Sequence, residues 1–186
     1  MNAISTISSL AYLERGDDIQ QYIAALSSYM RYLLMDYGTQ STVADEINHA
    51  ADFIKLQQIR YPGNIELNVC IQPESGAVQM PRLVVQTFAE NVFKHAFQYG
   101  KPLKVSISSA ISSDYVCIFV DDNGGGFGNR LENGNPAQGT GIANIRRTLE
   151  LLYGKPDLLK LISLENGGAR VQILIPVTNA NGGAKN

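Results

Sequence analysis

The most informative part of the chain is the segment "VDDNGGGFGNRLENGNPAQGTGIANIRRTLELLYG" at residues 120–154. Seven of the 17 glycines lie in it before Ile142, and a helical pattern follows without a break. Glycine has no Cβ, so backbone and ligand can approach each other closely. A helix that begins near Gly141 offers free N–H groups and a positive dipole end to a phosphate. The segment therefore predicts a site for a phosphate-bearing ligand, and the polar run 129–138 within it has the composition of a mobile lid.

Strand and helix patterns alternate around this segment. The runs "NIELNVCIQ" at 64–72, "LKVSISSAI" at 103–111 and "DYVCIFVDD" at 114–122 have the composition and alternation of strands. The run "PRLVVQTFAENVFKHAF" at 81–97 returns to a helical period, and residues 158–177 read as a hairpin with an Asn-Gly-Gly turn. We therefore expect an α+β protein, a two-layer α/β sandwich in which helices cover a mixed sheet.

The first 60 residues have helical patterns only. Apolar residues at helical spacing predict helices over residues 4–15, 18–35 and 42–60. Thr42 is suited to cap the third helix, with Asp45 in capping-box spacing.

Three parts of the chain follow from these patterns. We expect a helical segment over residues 1–60, the sheet-containing domain over 61–178, and a loose tail over 179–186.

Composition excludes several classes of function. The chain has 186 residues and a net charge of −2, so it has no broad basic field for nucleic acid. No apolar run approaches the ~20 residues that span a bilayer. Cys70 and Cys117 lie in strand-like apolar runs, which predicts buried, reduced thiols in a cytosolic protein. His49 and His95 are too few for a histidine-rich metal site.

A row of polar residues follows one face of the helix predicted over residues 82–98. Asn91, Lys94 and His95 fall on one face because positions three and four apart are neighbours on a helix. An amide oxygen suits a divalent cation, and an ammonium group suits the phosphate that carries it. The alternative is a solvated polar face, which this helix alone would favour. Its opposing face is predicted to contain the apolar residues Leu83, Val84, Phe88, Val92 and Phe93.

Asp122 strengthens the case for a ligand. It ends an apolar strand, where a carboxylate can accept a hydrogen bond from an exocyclic amine such as that of adenine. Gly124 and Gly126 follow it directly, and Gly139 and Gly141 flank Thr140 at the start of the next helix. The Walker phosphate loop is absent, and "GGGFGN" does not fit the dinucleotide-binding pattern.

Three motifs carry a specific resemblance to a known family. The sequences "ENVFKH" at 90–95, "DNGGGF" at 122–127 and "GTGIANIRRTL" at 139–149 resemble the asparagine box and the two glycine boxes of the GHKL ATPases. They are most similar to those of sensor histidine kinases of the YesM/LytS type, and the resemblance extends over about residues 2–177. It implies a Bergerat ATP-binding fold, with the N-terminal helices belonging to a dimerisation element.

The resemblance also implies roles for individual residues. Asn91 would coordinate Mg²⁺ on the phosphates of ATP, with Lys94 and His95 nearby, and Asp122 would bind the adenine amine. The remaining residues implied at the nucleotide, around the lid, are Gly124, Gly126, Gly139, Thr140 and Gly141.

The implied activity is that of a protein-histidine kinase. ATP would phosphorylate a histidine that then passes the group to the receiver domain of a response regulator. In this family the accepting histidine precedes the residues matched by this chain, so we expect that the chain binds ATP and cannot autophosphorylate alone, and no catalytic residue is assigned within it. Partners would include a second copy joined through the N-terminal helices, in the cytoplasmic portion of a membrane-anchored sensor.

Two alternatives to a kinase remain open. ATPases of the gyrase and chaperone kinds have a water-activating glutamate one turn before the metal asparagine, whereas this chain has Thr87 there. A kinase that transfers to histidine is therefore the better interpretation. The second alternative is a non-catalytic nucleotide-binding or dimerisation module with a GHKL-like fold.

Overall fold

The computed structural model describes residues 3–34, 40–127 and 140–177. Its helices are α1 (Ala3–Tyr12), α2 (Gly16–Leu33), α3 (Val43–Arg60), α4 (Pro73–Gly76), α5 (Val84–Ala96) and α6 (Thr140–Tyr153). Its strands are β1 (Ser41–Thr42), β2 (Ile65–Ile71), β3 (Gln79–Met80), β4 (Leu103–Ser112), β5 (Tyr115–Asp122), β6 (Leu159–Ser163) and β7 (Ala169–Pro176). The order of elements agrees with the alternation predicted from the sequence, apart from the short α4, β1 and β3.

The main sheet determines where α5 lies. Within the described ranges it has the strand order β2-β4-β5-β7-β6. β2 and β4 are parallel, and the other neighbours are antiparallel, so the sheet is mixed as predicted. Parallel strands need a long crossover connection. Here that connection contains α5, which the crossover brings back against the sheet.

One face of the sheet forms the core with the helices. Side chains alternate along β5, where Val116, Ile118 and Val120 are buried and the residues between them are half-buried. The same apolar cluster contains buried residues from five helices, among them Ile54 of α3, Phe88 of α5 and Leu149 of α6. The structure is thus an α+β sandwich of a helical layer on a mixed sheet, and the predicted fold class is confirmed. The division of the chain near residue 60 remains a prediction.

The start of α3 confirms the predicted helix cap. The hydroxyl oxygen of Thr42 accepts a hydrogen bond from the backbone N–H of Asp45 at 3.0 Å and donates to its carboxylate at 2.7 Å. Helix α3 ends at Arg60, before the Pro62-Gly63 pair.

The prediction for the two cysteines is wrong in one respect. Both thiols are free, but Cys70 is exposed and Cys117 is half-buried. Both residues alternate with apolar residues that face the helices, so they lie on the other face of the sheet. An apolar run alone does not tell which face of a strand is covered.

None of the helices in the described part of the chain is long and apolar enough to cross a membrane.

A buried histidine joins α2 to α3. The ring of His49 stacks on Tyr29 and Tyr32, with centroids 4.9 and 4.0 Å apart, and the residue is 4% exposed. Burial lowers the pKa of His49 to about 4, and the charge of Arg82 acts in the same direction while that of Asp52 opposes it. The ring is therefore neutral at neutral pH.

We expect this neutral histidine to make the fold sensitive to acid. Between pH 6.5 and about 4 the unfolded chain binds a proton on His49 and the folded chain does not, so stability falls as the pH falls. From pH 7 to pH 5 the free energy of unfolding should decrease by on the order of 2 kcal/mol more in the wild type than in His49→Phe. Urea unfolding at both pH values measures this difference. Equal decreases in the two proteins would contradict the assignment.

Candidate nucleotide-binding site

A cavity of about 330 Å³ opens between α5, the end of β5 and the start of α6. Among the residues predicted to bind the ligand, those that line this cavity are Asn91, Lys94, His95, Asp122, Gly126 and Gly141. The fold thus brings the polar row of α5, the acid at the strand end and both glycine segments to one cavity.

Three other predicted residues have different positions. Gly124 does not line the cavity but contacts the carboxylate of Asp122, which does. Thr140 is the first residue of α6, although its side chain lies outside the described part of the structure, and Gly139 lies outside the described residues altogether.

The polar face of α5 differs in part from the prediction. Asn91 is half-buried, and Lys94 and His95 are exposed at the cavity. Phe88 and Val92 were predicted on the opposing face, but both line the cavity and are buried. The prediction was wrong because Phe88 lies only about 60° from Asn91 around the helix. Such a pair belongs to adjacent faces, so the apolar core continues into the wall of the cavity.

The helix begins later than its apolar pattern indicates. Leu83 has a left-handed backbone with φ of 63°, and α5 starts at Val84. A left-handed conformation is costly for a branched side chain such as leucine. The buried carboxylate of Glu46 holds this start by accepting hydrogen bonds from the N–H groups of Leu83 at 2.7 Å and Val85 at 3.2 Å.

Asp122 is the last residue of β5 and has a half-buried side chain. Its Oδ1 accepts a hydrogen bond from the N–H of Gly124 at 2.7 Å, and the N–H of Ala169 also donates to the carboxylate. Burial raises the pKa of Asp122, and these two N–H groups oppose the rise. The backbone therefore holds the carboxylate in a fixed orientation at the cavity wall.

Close contacts explain why glycine occupies positions 124 and 141. A Cβ on Gly124 would lie 2.5 Å from the Cβ of Ala96 and 2.9 Å from Oδ1 of Asp122. A Cβ on Gly141 would lie 3.3 Å from Cγ2 of Thr87. The segment after β5 and the start of α6 therefore both lie directly against α5.

The turn between β6 and β7 supports the same segment, which sequence reasoning missed. Gly168 has φ of 100°, and a Cβ there would lie 2.1 Å from the backbone oxygen of Asp122. Gly126 has φ of 71°, and Ser163 accepts a hydrogen bond from the N–H of Phe127 at 3.2 Å. The Asn-Gly-Gly turn was predicted from the sequence, but its contact with β5 is a tertiary feature.

Sequence reasoning also missed the apolar part of the cavity. These additional lining residues are Phe88, Val92, Ala96, Gly125, Phe127, Ile142, Ala169 and Val171. They come from four segments that are far apart in sequence. Only Gly125, Phe127 and Ile142 had a local signal, because they lie in the two glycine motifs.

Thr87 and Glu90 are the two positions near Asn91 where a water-activating carboxylate could be sought, and neither residue lines the cavity. The Thr87 hydroxyl donates to the backbone oxygen of Leu83 at 2.8 Å. Glu90 is directed to α2, where the Tyr29 hydroxyl donates to it at 3.2 Å. Further along α6, Arg146 is half-buried and Arg147 is exposed, and neither lines the cavity.

Comparison with known proteins agrees with this geometry. A family profile described as "Histidine kinase" matches residues 1–65. Sensor histidine kinase YesM of Bacillus subtilis is 28% identical to this chain, and the alignment covers 96% of this chain. Sensor protein LytS of Bacillus anthracis is also 28% identical, and that alignment covers 94% of this chain. The chain spans about a third of the length of these relatives, 31% in each case.

Solved structures show the same fold. The nucleotide-free catalytic domain of histidine kinase ThkA aligns with a TM-score of 0.59 and 20% identity, covering 74% of this chain and 94% of that domain. The histidine kinase domain of the blue-light activated kinase EL346 from Erythrobacter litoralis aligns with a TM-score of 0.54 and 20% identity, covering 94% of this chain and 84% of that one. The predicted resemblance is therefore confirmed: this chain is similar to the sensor histidine kinases of the YesM and LytS type and has the GHKL fold of histidine kinase catalytic domains.

Proposed function

We propose that the cavity binds ATP with Mg²⁺ and that this chain directs the γ-phosphoryl group to a histidine on another polypeptide segment. The observation that carries the proposal is the position of Asn91 and Asp122. These two residues were selected from separate motifs for opposite ends of a nucleotide, and they line one cavity. Its volume of about 330 Å³ is within the range of small-molecule sites.

Asp122 would recognise the base. Its carboxylate is held by two backbone N–H groups, which leaves acceptor capacity for the amine of adenine. Apolar residues such as Phe88, Val92 and Ile142 would pack against the purine. The glycine at position 124 supports this role, because a side chain there would press on the Asp122 carboxylate.

Asn91 and Lys94 would hold the phosphates. Mg²⁺ in nucleotide sites usually binds through one or two protein oxygens together with phosphate oxygens and water. The amide oxygen of Asn91 would provide the protein ligand, and the Lys94 ammonium would neutralise phosphate charge. His95 and Gly141, at the start of α6, line the same cavity, and N–H groups at the start of a helix attract anions.

Transfer to histidine is favoured over hydrolysis. Thr87 has no carboxylate, and Glu90 is hydrogen-bonded to α2, so neither residue is placed to orient water beside Asn91. Bound Mg-ATP would supply the phosphoryl group, and an imidazole nitrogen would attack its phosphorus while the bond to ADP breaks. The chain's own groups would orient the triphosphate and neutralise the charge that develops.

Neither histidine of this chain suits the role of acceptor. His49 is stacked between two tyrosines and is 4% exposed, so its ring cannot meet a nucleotide. His95 is on the wall of the cavity itself. We therefore propose that the accepting histidine lies on a different segment and that this chain alone is not autophosphorylated.

The partners of this function follow by similarity. ThkA has been solved in complex with the response regulator TrrA, and it aligns with this chain at a TM-score of 0.57. We propose that a response-regulator receiver domain receives the phosphoryl group, that two copies associate through α1 and α2, and that the reaction takes place in the cytoplasm.

We expect ATP binding to depend on Asp122 and Asn91. Loss of a hydrogen bond to a charged group should weaken binding of ATP on the order of tenfold to 100-fold in Asp122→Asn. Asn91→Ala should abolish the gain in affinity that Mg²⁺ provides. Isothermal titration calorimetry with and without Mg²⁺ measures both effects, and ATP should bind more tightly than GTP.

Asp121→Asn is the matched control, because Asp121 faces the other side of the sheet and is paired with Arg170 at 2.8 and 2.7 Å. It should leave ATP affinity unchanged. With γ-labelled ATP, label should transfer to an added acceptor-histidine domain and not to this chain. Binding without transfer would favour a non-catalytic module, and label on this chain would overturn the assignment of the acceptor elsewhere.

We further expect two adjacent glycines to differ. Gly124→Ala forces a methyl group against Ala96 and the Asp122 carboxylate, which should weaken ATP binding at least about tenfold and lower the free energy of unfolding by about 1–3 kcal/mol. Gly125→Ala places its methyl group in open space, so the free energy of unfolding should change by less than about 0.5 kcal/mol. Chemical denaturation and calorimetry compare the two variants. Equal free energies of unfolding would contradict the prediction, because they would mean that a methyl group at position 124 fits without displacing Ala96 or Asp122.

A further inference from the structure

Two tyrosines on α2 make contacts that the nucleotide site does not explain. Tyr29 and Tyr32 are three residues apart, so they lie on the same face of the helix. Tyr29 is 8% exposed, and both rings stack on His49 of α3. Each hydroxyl group meets a glutamate: that of Tyr29 meets Glu90 of α5, and that of Tyr32 meets Glu46 of α3. We call this set of contacts the tyrosine seam.

Tyr32 is connected to the start of α5 through Glu46 of α3. Its hydroxyl donates a hydrogen bond to the carboxylate of Glu46, which is fully buried. The same carboxylate accepts the N–H groups of Leu83 and Val85 at the first turn of α5. One buried anion therefore connects α2, α3 and the N-terminus of α5, where the helix dipole favours a negative charge.

Tyr29 reaches the middle of α5. Its hydroxyl donates to Oε1 of Glu90 at 3.2 Å, and the amide of Gln86 donates to the same oxygen at 2.7 Å and to the tyrosine hydroxyl at 3.3 Å. Glu90 and Gln86 are one turn apart on α5, on a face that does not line the cavity. The residue that follows Glu90 is Asn91.

We propose that Tyr29 is a positioning residue for Asn91: by binding Glu90 it sets the rotation of α5 and hence the direction of the amide oxygen towards the metal and phosphates. This inference rests on the proposed function, in which Asn91 binds the Mg²⁺ ion of Mg-ATP. Asn91 projects about 100° around the helix from Glu90. Because the two residues are adjacent on one rigid helix, a rotation of α5 that moves Glu90 also moves Asn91. Small displacements matter, because an error of about 1 Å at a reacting group can cost 100-fold in rate.

The same contacts link the site to the N-terminal helices. Tyr32 acts on the start of α5 through Glu46, and Tyr29 contacts α5 directly at Glu90, so α2 is connected to the helix at two points. A movement of α2 that broke only the Tyr29–Glu90 contact would change the environment of Asn91 and leave Asp122 in place. The metal-dependent part of nucleotide binding is therefore the part that responds to α2.

Tyr29→Phe tests the proposal, because it removes the hydroxyl and keeps the stacked ring. We expect the gain in ATP affinity from Mg²⁺, measured as the ratio of Kd values in EDTA and in Mg²⁺, to fall by about three- to tenfold. The Kd in EDTA should change less than about twofold. Tyr22→Phe is the matched control, since Tyr22 is on the same helix, is fully buried, and has no hydrogen-bond partner for its hydroxyl among the described residues.

A double variant identifies the route. Glu90→Gln should reduce the same ratio, and Tyr29→Phe/Glu90→Gln should be no worse than the more damaging single variant, because both act through one hydrogen bond. An unchanged ratio in Tyr29→Phe, equal losses with and without Mg²⁺, or additive effects in the double variant would each overturn the positioning role. Wild-type protein that binds no ATP under either condition would instead refute the proposed function, and the inference with it.

Discussion

The buried carboxylate of Glu46 is the contact on which the arrangement of the site depends. A buried charge is costly unless hydrogen bonds replace its hydration. Glu46 is fully buried, and its partners are the N–H groups of Leu83 and Val85 and the hydroxyl of Tyr32. Burial raises its pKa, and these hydrogen bonds oppose the rise. These hydrogen bonds form with α5 starting at this place and with Leu83 in its left-handed conformation, so they help to set the position of the polar face of α5.

Local periodicity accounts for what the sequence could predict. The alternation in β2 and β5 and the helical spacing of Asn91, Lys94 and His95 each depend on neighbours within a few residues. Thr42 is predictable for the same reason, since its cap needs only Asp45. That Asp122 meets Asn91 at one cavity did not follow from either motif alone. It followed from the resemblance to the GHKL ATPases, because that pairing depends on the crossover through α5.

Long-range contacts account for what the sequence could not predict. Phe88 was assigned to the face opposite Asn91, yet it lines the cavity. The two residues lie only about 60° apart around α5, so the boundary between the core and the open cavity passes between them. Cys70 occupies an apolar run, but it lies on the face of the sheet opposite the core and is exposed. Gly168 is recognisable as a turn residue, whereas the approach of Asp122 to within 2.1 Å of its missing Cβ is visible only in three dimensions.

The polar character of the tyrosine seam has a physical consequence that an apolar contact would lack. Apolar side chains tolerate small rotations of a helix, because contact between them has little directionality. Hydrogen bonds weaken steeply with angle, so Tyr29 and Glu90 pair at one rotation of α5. Within the buried groups of the seam, Oε1 of Gln86 and Nε2 of His49 have no described hydrogen-bond partner, so the network is not saturated. An unpaired polar group in a buried network is costly. The tyrosine seam therefore adds less stability than a fully paired network would, while its hydrogen bonds still depend on the relative position of α2 and α5.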